Sequence, residues 1–394
     1  MFKIPISVLA LTLAAFAIGT GEFVMMGLLV NIANDLRVSI SDAGILVSAY
    51  ALGVVVGSPL VTITTIPFQR KKTLIGLICL FVLGNILCAL STNYTSLLLS
   101  RIVTACCHGT FFGIASVVAT QLVDSRHKTL AVALVFLGTT LANMLGVPAG
   151  TAIGLALGWR ATFWIIAALG IVAVLGLSAF VPANLSHKSA KVLPELKALK
   201  NPTVLIPLAL SALVNGGLFV VFTYITPLLM NVAGFDEKHI TYILFILGAG
   251  LPIGTILGGK LGDKALIKSL LFLFPCLLVL LLGIRIFVPY QMAGMAVLFL
   301  WNMVTFTIAP MLQYMVVDNA AAAPNLASTF NQSAFNLGNA IGAWAGGLLV
   351  ADHLGYINLP FLSMAFIFTG WVLVFIYRGI KNATNLKKSV DLSV

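Results

Sequence analysis

The sequence predicts an all-α integral membrane protein of about 12 transmembrane helices in two pseudo-symmetric six-helix halves. Three observations predict it. The chain is 60% hydrophobic and 8% charged, against about 25% charged residues in soluble domains. Only lipid accepts so apolar a surface. Apolar runs of the ~20 residues needed to cross hydrocarbon recur along the chain, separated by short polar gaps. Finally, Lys and Arg crowd into alternate gaps, as loops on one membrane face require.

The first apolar run is too long for the core of a signal peptide and lacks a small-residue cleavage site, so it reads as a retained helix. The predicted spans of the first half are 6–31, 42–65, 73–92, 95–120, 130–154 and 159–181. Those of the second half are 204–230, 240–261, 267–287, 291–316, 326–350 and 358–378. The longest gap carries His187, Lys188, Lys191, Lys197 and Lys200. The chain therefore divides into a six-helix bundle over 1–182, a cytoplasmic linker over 183–203, a second bundle over 204–380 and a cytoplasmic tail over 381–394. Gly258-Gly259-Lys260-Leu261-Gly262-Asp263-Lys264 follows the eighth span where Thr64 to Lys72 follows the second, a sign of two related halves.

Orientation follows from the basic residues. One set of loops holds Lys3, Arg70, Lys71, Lys72, Arg126, Lys128, the linker lysines, Lys260, Lys264, Lys268, Arg378 and the tail lysines. The other set holds only Arg37, Arg160, Lys238 and Arg285. The basic loops are expected to be cytoplasmic, with both termini on that side.

The net charge of +11 is spread through these loops, so nucleic-acid binding is not expected. Cys79, Cys88, Cys106, Cys107 and Cys276 lie inside apolar runs without CxxC spacing, which argues against disulfides and zinc. No P-loop, HExxH or GxSxG elbow is present, so neither an ATP-driven pump nor an enzyme is expected. An ion channel is disfavoured by the lack of charge rings or a filter loop.

The remaining chemistry is intramembrane. Every acid except Glu22 falls in a gap or at a span end. Glu22 lies eight or nine residues inside the outer end of its span, about 12–14 Å deep at 1.5 Å per residue. A carboxylate among hydrocarbon is costly to keep charged, which suits it to gaining and losing a proton or to binding a cationic group. Arg101 is at comparable depth, ~9 Å from the same face, and needs acceptors: the Glu22 carboxylate or backbone carbonyls. His108, seven residues on, shares its face and is a candidate proton relay. In the eleventh span Gln332, Asn336 and Asn339 form an amide stripe and Gly338, Gly342 and Gly346 a glycine stripe. The glycines read as a close helix contact, the amides as cavity lining or interhelical glue. Tyr50, Asn143, Asn215, Phe219, Tyr224, Trp301 and Asn331 are further candidates for a substrate cavity, with packing as the alternative.

Five stretches carry a resemblance over essentially the whole chain: Gly19-Thr20-Gly21-Glu22-Phe23-Val24-Met25-Met26-Gly27, Ser48-Ala49-Tyr50-Ala51-Leu52-Gly53, His108-Gly109-Thr110-Phe111-Phe112-Gly113, Ala142-Asn143-Met144-Leu145-Gly146-Val147-Pro148 and Ser333-Ala334-Phe335-Asn336-Leu337-Gly338-Asn339. With these the chain resembles the major facilitator superfamily, in particular the twelve-span drug:proton antiporters of the arabinose-efflux-like group. The resemblance implies a bacterial inner-membrane antiporter, monomeric, without a bound cofactor and driven by the proton gradient. It would export a small organic molecule by alternating access, with Arg101 in proton coupling. The alternative is sugar or nucleoside efflux through a neutral hydrogen-bonding cavity; a non-transporting membrane receptor is the rival from another class. The family's first inner loop carries a Gly-x-x-x-Asp-Arg latch. Here Arg70, Lys71 and Lys72 stand without the acid, which appears in the second copy as Asp263.

Overall fold

A computed structural model describes residues 4–38, 40–185, 199–320, 324–351 and 355–391. Among these the secondary structure is helical, with no strand. Ten helices are long and apolar enough to cross a membrane. One of them, Glu237–Phe287, has 51 residues and would reach about 77 Å, more than twice the ~30 Å of a hydrocarbon core. It leaves helical geometry at Ala265, with φ −165° and ψ 71°, and so supplies the separate eighth and ninth spans. Pro324–Ala351, with 28 residues, adds the eleventh. The molecule thus has the twelve-helix architecture of two six-helix halves. The expected linker falls mostly outside the described residues. The last helix, Leu359–Asp391, runs on into the stretch expected to be a tail.

Each half has its own apolar core. Residues from Ala10 to Val181 form one and residues from Leu210 to Tyr377 the other. Burial of these side chains from lipid and water comes from packing among spans of the same half. Glycine sets the closest approaches: a Cβ on Gly19 would meet Ala142 and Thr139 at 3.0–3.1 Å, and one on Gly21 would meet Phe81 at 3.1 Å. The first span is thereby pressed against the third and fifth, which fixes its rotation.

The second and fifth spans are each interrupted by one π-helical turn, Gly53–Gly57 and Ala142–Gly146. A proline follows each, Pro59 and Pro148, near the start of the next α-helical segment. Proline has no N–H to return to the preceding turn, and the extra residue of a π turn accommodates the break. The repeated device in the second and fifth spans marks a further internal relation within the first half.

The halves meet at the ends that carry the basic loops. The second and fourth spans pack on the eleventh, and the fifth on the eighth. Ser333 Oγ donates to the Val55 carbonyl at 3.1 Å, the carbonyl four residues before Pro59. Ser328 Oγ donates to Gly113 O at 2.9 Å. The Asp263 carboxylate accepts from the N–H groups of Thr129 at 2.7 Å and Leu130 at 3.2 Å. These bonds between the halves run from the middle of the second span toward the basic face. The molecule is in the form closed there.

Candidate functional site

Glu22, Tyr50, Arg101 and His108 come from three different spans and converge in the first half. The first span places Glu22 beside the second and fourth, with Gly19 against the fifth span and Gly21 against the third. The fourth span, Tyr94–Gln121, starts with a reciprocal cap between Asn93 and Ser96. It is buried along most of its length, with Arg101 and His108 two turns apart on one face.

Arg101 is 1% exposed and Tyr50 2%, so neither side chain reaches lipid or water. The guanidinium donates through Nη1 to Gly21 O at 2.6 Å and through Nη2 to Glu22 O at 3.2 Å. It makes no ion pair with the Glu22 carboxylate within 4.0 Å. Its Cζ sits 4.3 Å from the centre of the Tyr50 ring, a cation–π contact worth up to about 2 kcal/mol when desolvated. Of the two partners left open by the sequence, the structure selects the backbone carbonyls. The positive charge is held beside the acid by dipoles, and the carboxylate stays free for other chemistry.

The carboxylate faces His108 instead. Its Oε2 lies 3.6 Å from His108 Nδ1, and the Tyr50 hydroxyl lies 3.1 Å from that same nitrogen. The imidazole also packs on Phe112, centroid to centroid 4.9 Å. Glu22 keeps 13% side-chain exposure, the largest of the group. The arrangement is a buried acid and imidazole within proton-exchange reach, flanked by a fixed cation.

The other candidates separate. Trp301 is 1% exposed and packed in the core of the second half; it is a core residue rather than cavity lining. Tyr224 donates to Ala343 O at 2.9 Å, tying the seventh span to the eleventh, where Gly346 and Gly347 leave room for its ring. Asn215 and Asn143 donate to carbonyls of their own helices, Ser211 O at 3.0 Å and Thr139 O at 3.2 Å. Asn143 sits in the fifth-span π turn.

The amides of the eleventh span are held by a residue the sequence reading did not single out. Gln313, fully buried in the tenth span, accepts through Oε1 from Asn331 at 2.6 Å and Gln332 at 3.0 Å. It donates to Ser328 Oγ at 2.6 Å. Asn336 donates to Gln332 O at 3.0 Å. In this form Asn331 and Gln332 join the eleventh span to the tenth, while Asn336 bonds within its own helix. The glycine stripe behaves as expected: Gly338 and Gly342 lie against the Ala212 and Gly216 backbone.

Of the first-loop basic residues, Lys71 donates to Ser178 O at 2.7 Å, in the sixth span of its own half. Arg70 is buried and Lys72 exposed. Asp263 bridges the halves, through the Thr129 and Leu130 N–H groups. On the opposite face Asp35 accepts from Arg160 Nη1 at 2.7 Å and Trp159 Nε1 at 3.1 Å, pinning the first span to the start of the sixth.

Two helical halves, each with its own core, meeting at one face beside a buried charged cluster, define a lipid-embedded transporter for a small molecule. The chain belongs to the Major Facilitator Superfamily, whose family model matches residues 11–329; it is a transporter and not an enzyme. It is 40% identical to "Inner membrane transport protein YdhP" of Escherichia coli (strain K12) over 377 residues, 96% of each chain. It is 34% identical to a "Chloramphenicol resistance protein" of Streptomyces lividans, covering 89% of this chain and 90% of that one. Its fold matches the crystal structure of the major facilitator FucP in the outward conformation, with TM-score 0.78, 15% identity and coverage of 95% and 99%.

Proposed function

We propose that the protein is a proton-coupled antiporter that exports a small organic molecule from bacterial cells. It would work as a single chain in the inner membrane, with both termini cytoplasmic, driven by the proton gradient without a bound cofactor. The observation that carries the reading is the freedom of the Glu22 carboxylate. Arg101 is spent on the Gly21 and Glu22 carbonyls, and the acid faces an imidazole 3.6 Å away. A buried carboxyl group of this kind can bias a two-state carrier if its proton affinity differs between the two states. A proton entering from the face opposite the basic loops would neutralise Glu22, and its release on the basic side would reset the carrier.

Export is supported by the Streptomyces relative, whose name is a drug-resistance function. The inner membrane is supported by the name of the Escherichia coli relative. We assign the latch between the halves to Asp263, whose carboxylate caps the fifth span; Lys71 is bound within its own half. The test is flux of a substrate panel in proteoliposomes under an imposed pH gradient, with Glu22→Gln beside wild type. The variant is expected to lose gradient-driven accumulation while keeping downhill exchange. Equal accumulation by both proteins would overturn the proton-site assignment.

A further inference from the structure

The Tyr50 hydroxyl and the Glu22 carboxyl group compete for one atom of the cluster, His108 Nδ1. The hydroxyl is 3.1 Å from His108 Nδ1, and Glu22 Oε2 approaches the same nitrogen to 3.6 Å. A ring nitrogen carries either one proton or one lone pair in the ring plane, so it cannot accept from Tyr50 and donate to Glu22 at once. Among the described residues the Tyr50 hydroxyl has no other hydrogen-bond partner. A phenol buried to 2% exposure with its proton unmatched would be costly, so Tyr50 donates and Nδ1 accepts. Neutral His108 then carries its proton on Nε2. The Nδ1 lone pair, taken up by the Tyr50 proton, offers no donor to a charged carboxylate 3.6 Å away and repels it, so this arrangement accommodates Glu22 in its protonated form.

We propose that Tyr50 is a positioning residue for the proton step: its hydroxyl fixes the tautomer of His108 and thereby dictates which protonation form of Glu22 can sit beside it. The inference rests on the proton-coupling reading of Glu22 and adds the group that gates it. When the Tyr50 hydroxyl turns away, the Glu22 O–H bond can break and an N–H bond form at Nδ1. The products are a carboxylate and an imidazolium, with total charge unchanged. Arg101 disfavours the imidazolium, so the pair returns its proton unless an acceptor on the releasing side takes it. The Tyr50 ring has a second, separable job as the face on which Arg101 rests, 4.3 Å from its centre. The titratable and charged groups facing Tyr50 are Glu22 from the first span, Cys88 from the third, and Arg101, Cys107 and His108 from the fourth.

The two jobs of Tyr50 separate in the Phe variant, which keeps the ring and removes the hydroxyl. The experiment is ¹⁵N-histidine NMR of the full chain in lipid nanodiscs, with His108→Gln to assign the His108 signals and pH as the only titrant. Wild type is expected to show His108 as the Nε2–H tautomer. Tyr50→Phe is expected to lose that signature and gain the Nδ1–H one, with the ring now donating to Glu22, and its pH titration is expected to shift. An Nδ1–H tautomer in wild type overturns the proposal without any variant. So does an identical tautomer and titration in wild type and Tyr50→Phe. No transport is needed for this readout. If Glu22→Gln still accumulates substrate under a pH gradient, the coupling reading fails while the tautomer result still reports on Tyr50.

Discussion

The two contacts that close the basic face occupy related places in the two-fold fold and use different chemistry. Between the fifth and eighth spans the closure is charged: the Asp263 carboxylate accepts from two N–H groups at the start of the fifth span. There it meets the positive end of a helix dipole and groups that have no partner within the helix. Where the second and fourth spans meet the eleventh, the closure is neutral. Thr62, Thr110, Thr329, Ser328 and Ser333 bond to one another and to carbonyls. The first inner loop lacks an acid, and the sequence alone leaves the first-half latch without its central group. The structure shows hydroxyls and a π-turn carbonyl joining the halves at that place. Closing this interface does not require charge on both sides; it requires a donor or acceptor that only the other half can match.

The most severe break in the comparison is steric and falls on the charged side. A Cβ on Gly259 would sit 2.7 Å from Leu130 Cα and 2.8 Å from Ala133 Cβ, both on the other half. Gly259→Leu should cost the closed form about 1–3 kcal/mol, a roughly five- to 150-fold shift of population toward the form open at the basic face. Because the clashing atoms belong to the other half, the packing within each half is untouched. Distances between spin labels across the fifth and eighth spans should lengthen in the variant while its helix content matches wild type. Unchanged distances would mean that the eighth span tolerates a side chain there and that the contact does not select a state.

Asp263→Ala tests the electrostatic part of the same contact. Loss of an N-terminal cap costs about 1 kcal/mol, so the closed population should fall roughly five-fold by the same distance measurement. Asp263→Asn keeps an acceptor and loses the charge, and it should fall between Ala and wild type. An Asn variant equal to Ala would show that the dipole and charge carry the contact; one equal to wild type would show that an acceptor suffices.

Much of this was legible in the sequence because hydrophobic length and basic loops are local signals. The twelve crossings, the depth of Glu22 and the face shared by Arg101 and His108 all follow from spacing along one helix. What spacing cannot show is which distant atom answers each polar group. Arg101 met the Gly21 and Glu22 carbonyls of the first span rather than its carboxylate. Asn331 and Gln332 of the eleventh span were spent on Gln313, which looks like one polar residue among many in the tenth. Trp301 has the composition of a cavity residue and the burial of a core one. The break at Ala265 falls in the expected gap between the spans 240–261 and 267–287, announced by the polar, glycine-rich stretch that ends in Gly262-Asp263-Lys264.

The smallest expected effect separates the neutral closure from simple packing. Thr62 Oγ1 lies 3.1 Å from Thr110 Oγ1 and 2.9 Å from Thr329 Oγ1. Thr110 donates its own proton to Ser58 O at 2.8 Å and Thr329 to Asn325 O at 3.0 Å. Both neighbours are therefore acceptors, and the single Thr62 proton goes to the shorter contact, Thr329 in the other half. Thr62→Val keeps the shape and removes the donor. At the ~0.6 kcal/mol typical of an interhelical bond in a membrane, the closed population should drop only two- to three-fold. Thr62→Ser restores the hydroxyl without the methyl group and should recover it. If Val and wild type match while Ser is the weaker closer, the methyl contact holds this interface. The hydroxyl chain would then be a consequence of closure rather than part of its cause.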